Sequence, residues 1–240
     1  MAGGKRADYL TLPALERIHS IIHGFAALCQ EEDELKKIPA LKYARVVFLE
    51  QIHSSIVHII HDLPPQKLSG DALITARTNT VLAVKTADCL PVLMADEKAR
   101  LVAAVHCGWK GTSRRVLLKA VQALKEKFGV DPASLLVGLG PCIGPWCYEV
   151  GREVEESFRE TGLPLSHFTP HPERKEKYFL DLKGANLSQL IRAGVERENI
   201  HSLDFCSHCL KRYPSWRRNH ESSKRMISFI ARVSAEMVAF

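Results

Sequence analysis

The sequence predicts an α+β fold, a single domain of mixed β-sheets packed against helices over residues 1–240. Two observations carry that expectation. Many short apolar runs bounded by polar, Gly or Pro residues read as strands, and only a few segments have helical spacing. No internal repeat, low-complexity stretch or linker divides the chain, so one mixed domain is the economical reading. The apolar fraction is 46% and the charged fraction 25%, the balance of a globular chain able to bury a core.

In chain order, residues 18–25 are expected to form a strand and residues 30–37 a short solvated helix ended by Pro39. Residues 46–49 and 56–60 read as strands, and Ser69-Gly70-Asp71 as a turn before the strand 72–74. Residues 81–84, 90–94 and 101–105 read as three neighbouring strands. The short charged connection 95–100 points to a hairpin between the last two. Val116, Leu117, Ala120, Val121, Leu124 and Phe128 recur at helical spacing, giving a helix over about 113–128. Thr112 or Ser113 is its expected cap and Gly129 its end. A strand at 135–139 is followed by a rigid Gly/Pro loop, and a helix is expected at 152–160. Residues 161–177 read as a surface loop, 178–182 as a strand, and Leu187, Leu190, Ile191 and Val195 as the apolar face of a helix. A strand at 226–233 finishes the pattern.

The net charge of +6 is concentrated late, in Lys211, Arg212, Arg217, Arg218, Lys224 and Arg225. Such a patch attracts phosphates or acidic substrates, and a solvated basic face explains the total equally well. It lacks the length and interleaved aromatics of a nucleic-acid surface, so no nucleic-acid partner is expected. No apolar run spans a bilayer and residues 1–12 lack an apolar signal core, so a cytoplasmic protein without a membrane partner is expected. Seven cysteines, an odd number, argue for reduced thiols instead of a disulfide scaffold.

The residues with chemistry cluster at strand ends. Cys89 and His106 sit at the ends of two apolar runs, and His53 follows an earlier one. Two imidazoles and a thiolate suit zinc by softness, and three protein ligands would leave one position for water or substrate. No short zinc motif is present, so strand-end histidines and a buried thiol explain these residues equally well. Cys89 as nucleophile with His106 as base is the metal-free alternative, with Asp88 available to orient the imidazole or cap a turn. Cys206-x-x-Cys209 with Cys142 and Cys147 makes a rival four-thiolate site, against which stands a purely structural role. Arg217, Arg218 and Arg225 are candidate phosphate ligands, with at most one of the adjacent pair expected to face a site. Trp109, Tyr148 and Trp216 offer faces for a planar base or, as readily, core packing.

Five ordered segments then add up. They are Leu49-Glu50-Gln51-Ile52-His53, Asp71-Ala72-Leu73-Ile74-Thr75, Thr86-Ala87-Asp88-Cys89-Leu90-Pro91-Val92, Ala104-Val105-His106-Cys107-Gly108-Trp109-Lys110-Gly111 and Gly140-Pro141-Cys142-Ile143-Gly144-Pro145. In this order they closely resemble the laccase-domain, YfiH-like family, formerly labelled polyphenol oxidase and now described as zinc-dependent purine nucleoside enzymes. The segment from Cys206 through Arg217-Arg218 to Arg225-Met226 resembles the family's closing motif.

The resemblance implies sheets packed between helices, and zinc rather than copper held by His53, Cys89 and His106. A multicopper centre would need more clustered histidines than the chain offers. It implies phosphorolysis of adenosine, inosine, guanosine and S-methyl-5′-thioadenosine, with deamination of adenosine at the same site; purine nucleosides and phosphate are the expected partners. Asp88 and Asp71 are then candidates for orienting ligands or moving protons, and Arg217 or Arg225 for holding phosphate. A Cys89/His106 hydrolase of amide bonds in cell-wall precursors is the alternative. The chain departs from the family at Ala26-Ala27-Leu28-Cys29, where an Arg and a Gly-Gly pair are usual, and at Cys107, where Ala is frequent. Asn219-His220-Glu221 replaces a turn that usually contains Gly.

Overall fold

The computed structural model describes residues 9–27, 35–64, 66–220 and 223–234. Leu28, Cys29, most of the helix expected at 30–37, and Glu221 lie outside the described residues. Along the chain run helix α1 (Pro13–Glu16), strands β1 (Ile21–Ala27), β2 (Arg45–Phe48), β3 (Val57–Ile59), β4 (Ala72–Thr75), β5 (Thr80–Thr86), β6 (Leu90–Asp96) and β7 (Val102–Cys107). Then come helices α2 (Trp109–Ser113) and α3 (Val116–Phe128), β8 (Leu135–Leu139), β9 (Glu149–Gly151) and α4 (Arg152–Glu160). β10 (Phe168–Pro170), β11 (Lys177–Leu180), α5 (Leu182–Arg192), β12 (Ile200–Ser202) and β13 (Met226–Arg232) complete the order.

A six-stranded sheet, in the order β12-β8-β6-β7-β4-β3, is the backbone of the fold. β6 and β7 form the expected antiparallel hairpin, with Leu90 opposite Cys107 and Pro91 opposite His106. Their apolar runs are continuous because both sheet faces are buried. Val92, Met94, Ala103 and Val105 pack with α3 and α5 residues such as Leu117, Ala120 and Leu190. Leu93, Ala95, Val102 and Ala104 face Leu82, Val84 and Ile230 of a second sheet. Each buried Val, Leu, Ile or Met among them contributes roughly 1.5–3 kcal/mol by leaving water, and each Ala less.

The second sheet has four strands, ordered β1-β13-β5-β2. β5 therefore does not neighbour β6 and β7 in one sheet, as the sequence reading had it; it lies against them face to face. The chain leaves β5 at Thr86 and enters β6 at Leu90, so three residues carry it between layers. Asp88 takes a left-handed φ of 84° in that crossing. Successive apolar runs look like sheet neighbours in sequence, but this tight passage sends the second into the other layer.

The expected helix over 113–128 is broken. α2 begins directly after β7, and Arg115, with φ 61°, separates it from α3. The expected caps are used elsewhere: Thr112 pairs with Asn186, and Ser113 Oγ donates to Lys110 O at 3.0 Å. Arg115 instead reaches Thr161 O at the end of α4. Gly129 does end α3, in the left-handed conformation at φ 63°. Residues 161–177 are also more than a surface loop. β10 within them joins β11 and β9 in a three-stranded sheet, and Phe168 is buried edge-on against Phe158 at 5.1 Å.

One buried titratable group ties α1 to β1. His23 is 3% exposed, and its Nε2 accepts from Leu12 N–H at 2.9 Å. Burial lowers its pKa from 6.5 to about 4, with Glu16 pulling weakly the other way. The unfolded chain therefore takes up a proton between pH 6.5 and 4 that the folded chain refuses. The stability contribution is complete above the unfolded value and is lost as pH falls towards the folded one. Urea unfolding of chelator-treated protein is expected to weaken by about 3 kcal/mol across that window, and His23→Gln, which keeps an acceptor, to flatten the fall.

Candidate metal centre and its cavity

The two sheets meet at one end around three potential ligands. His53 sits where the chain passes from β2 to β3, again between the two sheets. Cys89 sits in the passage from β5 to β6, and His106 is the penultimate residue of β7. One ligand atom from each lies within 4.8 Å of the other two. Cys89 Sγ is 3.9 Å from His53 Nε2, and the two imidazoles meet edge to face at 4.9 Å. The structure thus brings together the three residues the sequence singled out.

Asp71 organises them. Its carboxylate, fully buried, accepts from His106 Nδ1 at 2.8 Å. It also accepts from the backbone N–H of His53 at 3.1 Å and from Ser54 N–H and Oγ. His53 itself is held at φ 56°. Burial opposes ionisation of Asp71, but His106 and Ser54 hold its carboxyl below the ordinary carboxylate range. With Nδ1 engaged, His106 presents Nε2, the arrangement by which a carboxylate fixes the tautomer of a metal-binding imidazole.

The electrostatics favour a thiolate. Burial alone would raise the Cys89 thiol, but His106 and His53 more than offset it and bring the pKa to about 6. His106 moves reciprocally: burial lowers it, yet Cys89 and Asp71 raise it to about 9. The donor set of one thiolate and two imidazoles fits a soft or borderline divalent cation such as zinc. Gly108 keeps the space open. A Cβ there would stand 2.7 Å from His53 Cδ2 and 3.0 Å from Cys89 Sγ. Cys107 does not join. It alternates to the opposite face of β7 and packs in the core, where burial pushes its thiol well up.

The triad opens into a cavity of about 680 Å³, within the range of small-molecule sites. Lys67, Lys85, Lys110, Arg217 and Arg225 line it, against Glu50 and Asp88 as the acidic side chains. Asp88 is already engaged. It accepts from Ser207 Oγ at 2.7 Å, Ser215 Oγ at 3.0 Å and Arg217 N–H at 2.7 Å. This latch brings Arg217 to the cavity, with its guanidinium 5.4 Å from the centre of the Tyr148 ring. Arg225 lies 5.7 Å from the Trp216 ring. Arg218 turns away from the cavity and donates to the carbonyls of Ser207, His208 and Tyr213, as expected for one of two adjacent arginines. Trp109, Tyr148 and Trp216 all line the cavity.

The sequence reading missed Lys85, Lys110 and Gln51. Lys85 carried a usable signal, a cation inside the apolar run of a central strand. Gln51 closes a two-bond amide pair with Lys85, donating to its carbonyl and accepting from its N–H, each at 2.8 Å. That pair fixes the segment leading to His53 against the edge of β5.

Comparison with known proteins gives this arrangement relatives. A family model described as multi-copper polyphenol oxidoreductase laccase matches residues 26–233. The chain belongs to this laccase-like, YfiH-like family. A purine nucleoside phosphorylase of Clostridium acetobutylicum is 38% identical over 188 residues, 77% of this chain and 76% of that protein. Purine nucleoside phosphorylase YfiH of Escherichia coli is 36% identical over 189 residues, 78% and 74% of the two chains. Adenosine deaminase RL5, from an unknown prokaryotic organism, is 34% identical over 173 residues, 68% and 66% of the two chains. The crystal structure of YlmD from Geobacillus stearothermophilus superposes with a TM-score of 0.82 at 26% identity, covering 93% of this chain and 94% of that one. Hypothetical protein YfiH of Bacillus licheniformis gives 0.80 at 27% identity, covering 91% and 95%. Family members thus share the mixed α/β architecture described above. Among the described residues, no helix is long and apolar enough to cross a membrane.

Two variants probe the centre. Asp71→Asn is expected to weaken zinc binding by about 10–100-fold, read by competition with a chromophoric chelator. Gly108→Ala is expected to weaken it as well, while leaving far-ultraviolet circular dichroism unchanged.

Proposed function

We propose that this protein is a zinc-dependent enzyme of purine nucleosides. Its reactions would be phosphorolysis of adenosine, inosine, guanosine and S-methyl-5′-thioadenosine, and hydrolytic deamination of adenosine. The observation that carries the reading is the union, in one cavity, of a soft-metal triad with a wall of cations. A hydrolase needs no anion site, whereas phosphorolysis must hold phosphate beside the sugar. Relatives named for phosphorolysis and for adenosine deamination agree with both halves of the proposal.

His53, Cys89 and His106 would hold the zinc. When bound, it supplies Lewis acidity and lowers the pKa of water to ~7. The protein's own groups do the rest. Asp71 orients His106 and fixes the backbone of His53. Tyr148, Trp109 and Trp216 offer faces on which a purine can stack. Arg217 and Arg225 are the proposed phosphate ligands, and Lys85 and Lys110 add positive charge to the same wall. Asp88 acts as a positioning residue, because its carboxylate already holds Arg217 N–H and two serines. In phosphorolysis a phosphate oxygen bonds to ribose C1′ as the bond to the purine nitrogen breaks, and the departing base gains a proton. In deamination water oxygen replaces the C6 amino group, which leaves as ammonia.

A metal-free Cys89/His106 hydrolase is the competing reading, and the depressed thiol of Cys89 is compatible with it. Zinc-loaded and chelated protein, incubated with adenosine with and without phosphate, separates the two. The expected products are inosine, free base and ribose 1-phosphate, formed by the zinc-loaded protein alone. Full activity of a zinc-retaining Cys89→Ala variant would sink the site assignment. Arg217→Ala is expected to lower phosphorolysis by about 10-fold or more, chiefly through KM for phosphate, and to affect deamination much less.

A further inference from the structure

Apart from the cavity, the fold gathers a second set of soft ligands. Cys142 and Cys206 form a parallel bridge, and Ser207 N–H donates to Cys142 O at 3.0 Å. This pairing lays the segment Cys206-Ser207-His208-Cys209 against the turn Pro145–Cys147. Cys147 Sγ stands 3.4 Å from Cys209 Sγ, across 62 residues of chain. One ligand atom each from Cys147, His208 and Cys209 lies within 4.8 Å of the others. Cys206 lies beside this group, close enough for its thiol to interact with those of Cys147 and Cys209. Its Sγ also accepts from Gly144 N–H at 3.1 Å. The His208 Nδ1 atom is buried and lacks a hydrogen-bond partner among the described residues. The thiols of Cys147, Cys206 and Cys209 are all free.

We propose that Cys147, Cys206, Cys209 and His208 bind a second cation of the zinc class, in a closed structural site. Three sulfurs and an imidazole are the donor set that zinc takes in four-coordinate structural centres. Hard cations are disfavoured because no carboxylate joins the group. Cys142, the fourth thiol of the sequence reading, is not a ligand: it is 2% exposed and belongs to the core. His208 takes its place.

The consequence reaches the cavity. Ser207, inside the proposed clamp, donates to Asp88, and Asp88 holds Arg217 N–H. A cation here would fasten the segment that leads to Arg217 to the loop after β8. It would do so without touching substrate. This inference does not depend on the reaction proposed above.

The full-length chain tests it, prepared under reducing conditions, loaded with zinc, dialysed and assayed for metal by plasma mass spectrometry. The wild type is expected to keep about two zinc ions per chain. His53→Ala/Cys89→Ala, which dismantles the first centre, is expected to keep about one. Its cobalt-loaded form should show strong thiolate-to-cobalt charge-transfer absorption, lost when Cys147→Ser and Cys209→Ser are added. Chelation of His53→Ala/Cys89→Ala should also lower its melting temperature. Absence of both zinc and the cobalt–thiolate band from folded His53→Ala/Cys89→Ala overturns the proposal. So does a Cys147–Cys209 disulfide found by peptide mapping of the reduced preparation, since it would consume two ligands. If the serine variants do not fold, the metal content of His53→Ala/Cys89→Ala decides alone.

Discussion

The carboxylate of Asp71 is the point on which the centre depends. It takes four hydrogen bonds, from His106 and from the His53–Ser54 segment, and so ties the two histidines together through one buried group. A buried carboxylate is tolerated because every donor around it is aimed at it. The same bonds fix which nitrogen His106 turns to the centre and hold His53 in a left-handed backbone conformation. The anchor itself comes from the sheet: Asp71 immediately precedes β4, and its carbonyl accepts from His106 N–H at 2.8 Å. Strand pairing and ligand orientation are therefore one arrangement, read once through the main chain and once through the side chain.

Asp88 plays a parallel part for the other wall. Its three acceptor bonds reach residues more than a hundred positions away in sequence, at 119, 127 and 129. One carboxylate thus serves the candidate metal centre and the other the cationic wall. Both sit where the chain enters the six-stranded sheet, Asp71 at β4 and Asp88 before β6. Of these two, Asp88 alone lines the cavity, and the donors that hold its carboxylate already answer its charge among the surrounding cations.

Much of this was legible in the sequence, and the rest failed for identifiable reasons. β6 and β7 stood out because a strand buried on both faces is apolar throughout, and their short connection announced the hairpin. The triad was readable only through the ordered motifs, since its spacing spans loops and two sheets. The passage of the chain between layers at Asp88 was hidden, because apolar patterning does not say which sheet a strand joins. The break at Arg115 was hidden because the periodic apolar residues begin only at Val116, leaving the start of the helix to be set by a cap-type residue before it. β10 escaped notice because Phe168 is its only buried residue. Lys85 and Lys110 became site residues only when distant elements were laid side by side.

The place of β13 has a consequence for how the molecule comes into being. That strand is not an edge: it lies between β1 and β5, pairing antiparallel with both. The earliest and the latest of the described strands must therefore meet before the four-stranded sheet exists. A chain emerging residue by residue can make the β6–β7 hairpin long before Met226 appears, yet it must hold a gap in the other layer until β13 is made. Such long-range closure slows folding and leaves unpaired strand borders exposed meanwhile. The half-made molecule, with apolar β1 and β5 facing an empty slot, is the stage at which it is most open to mispairing with another chain.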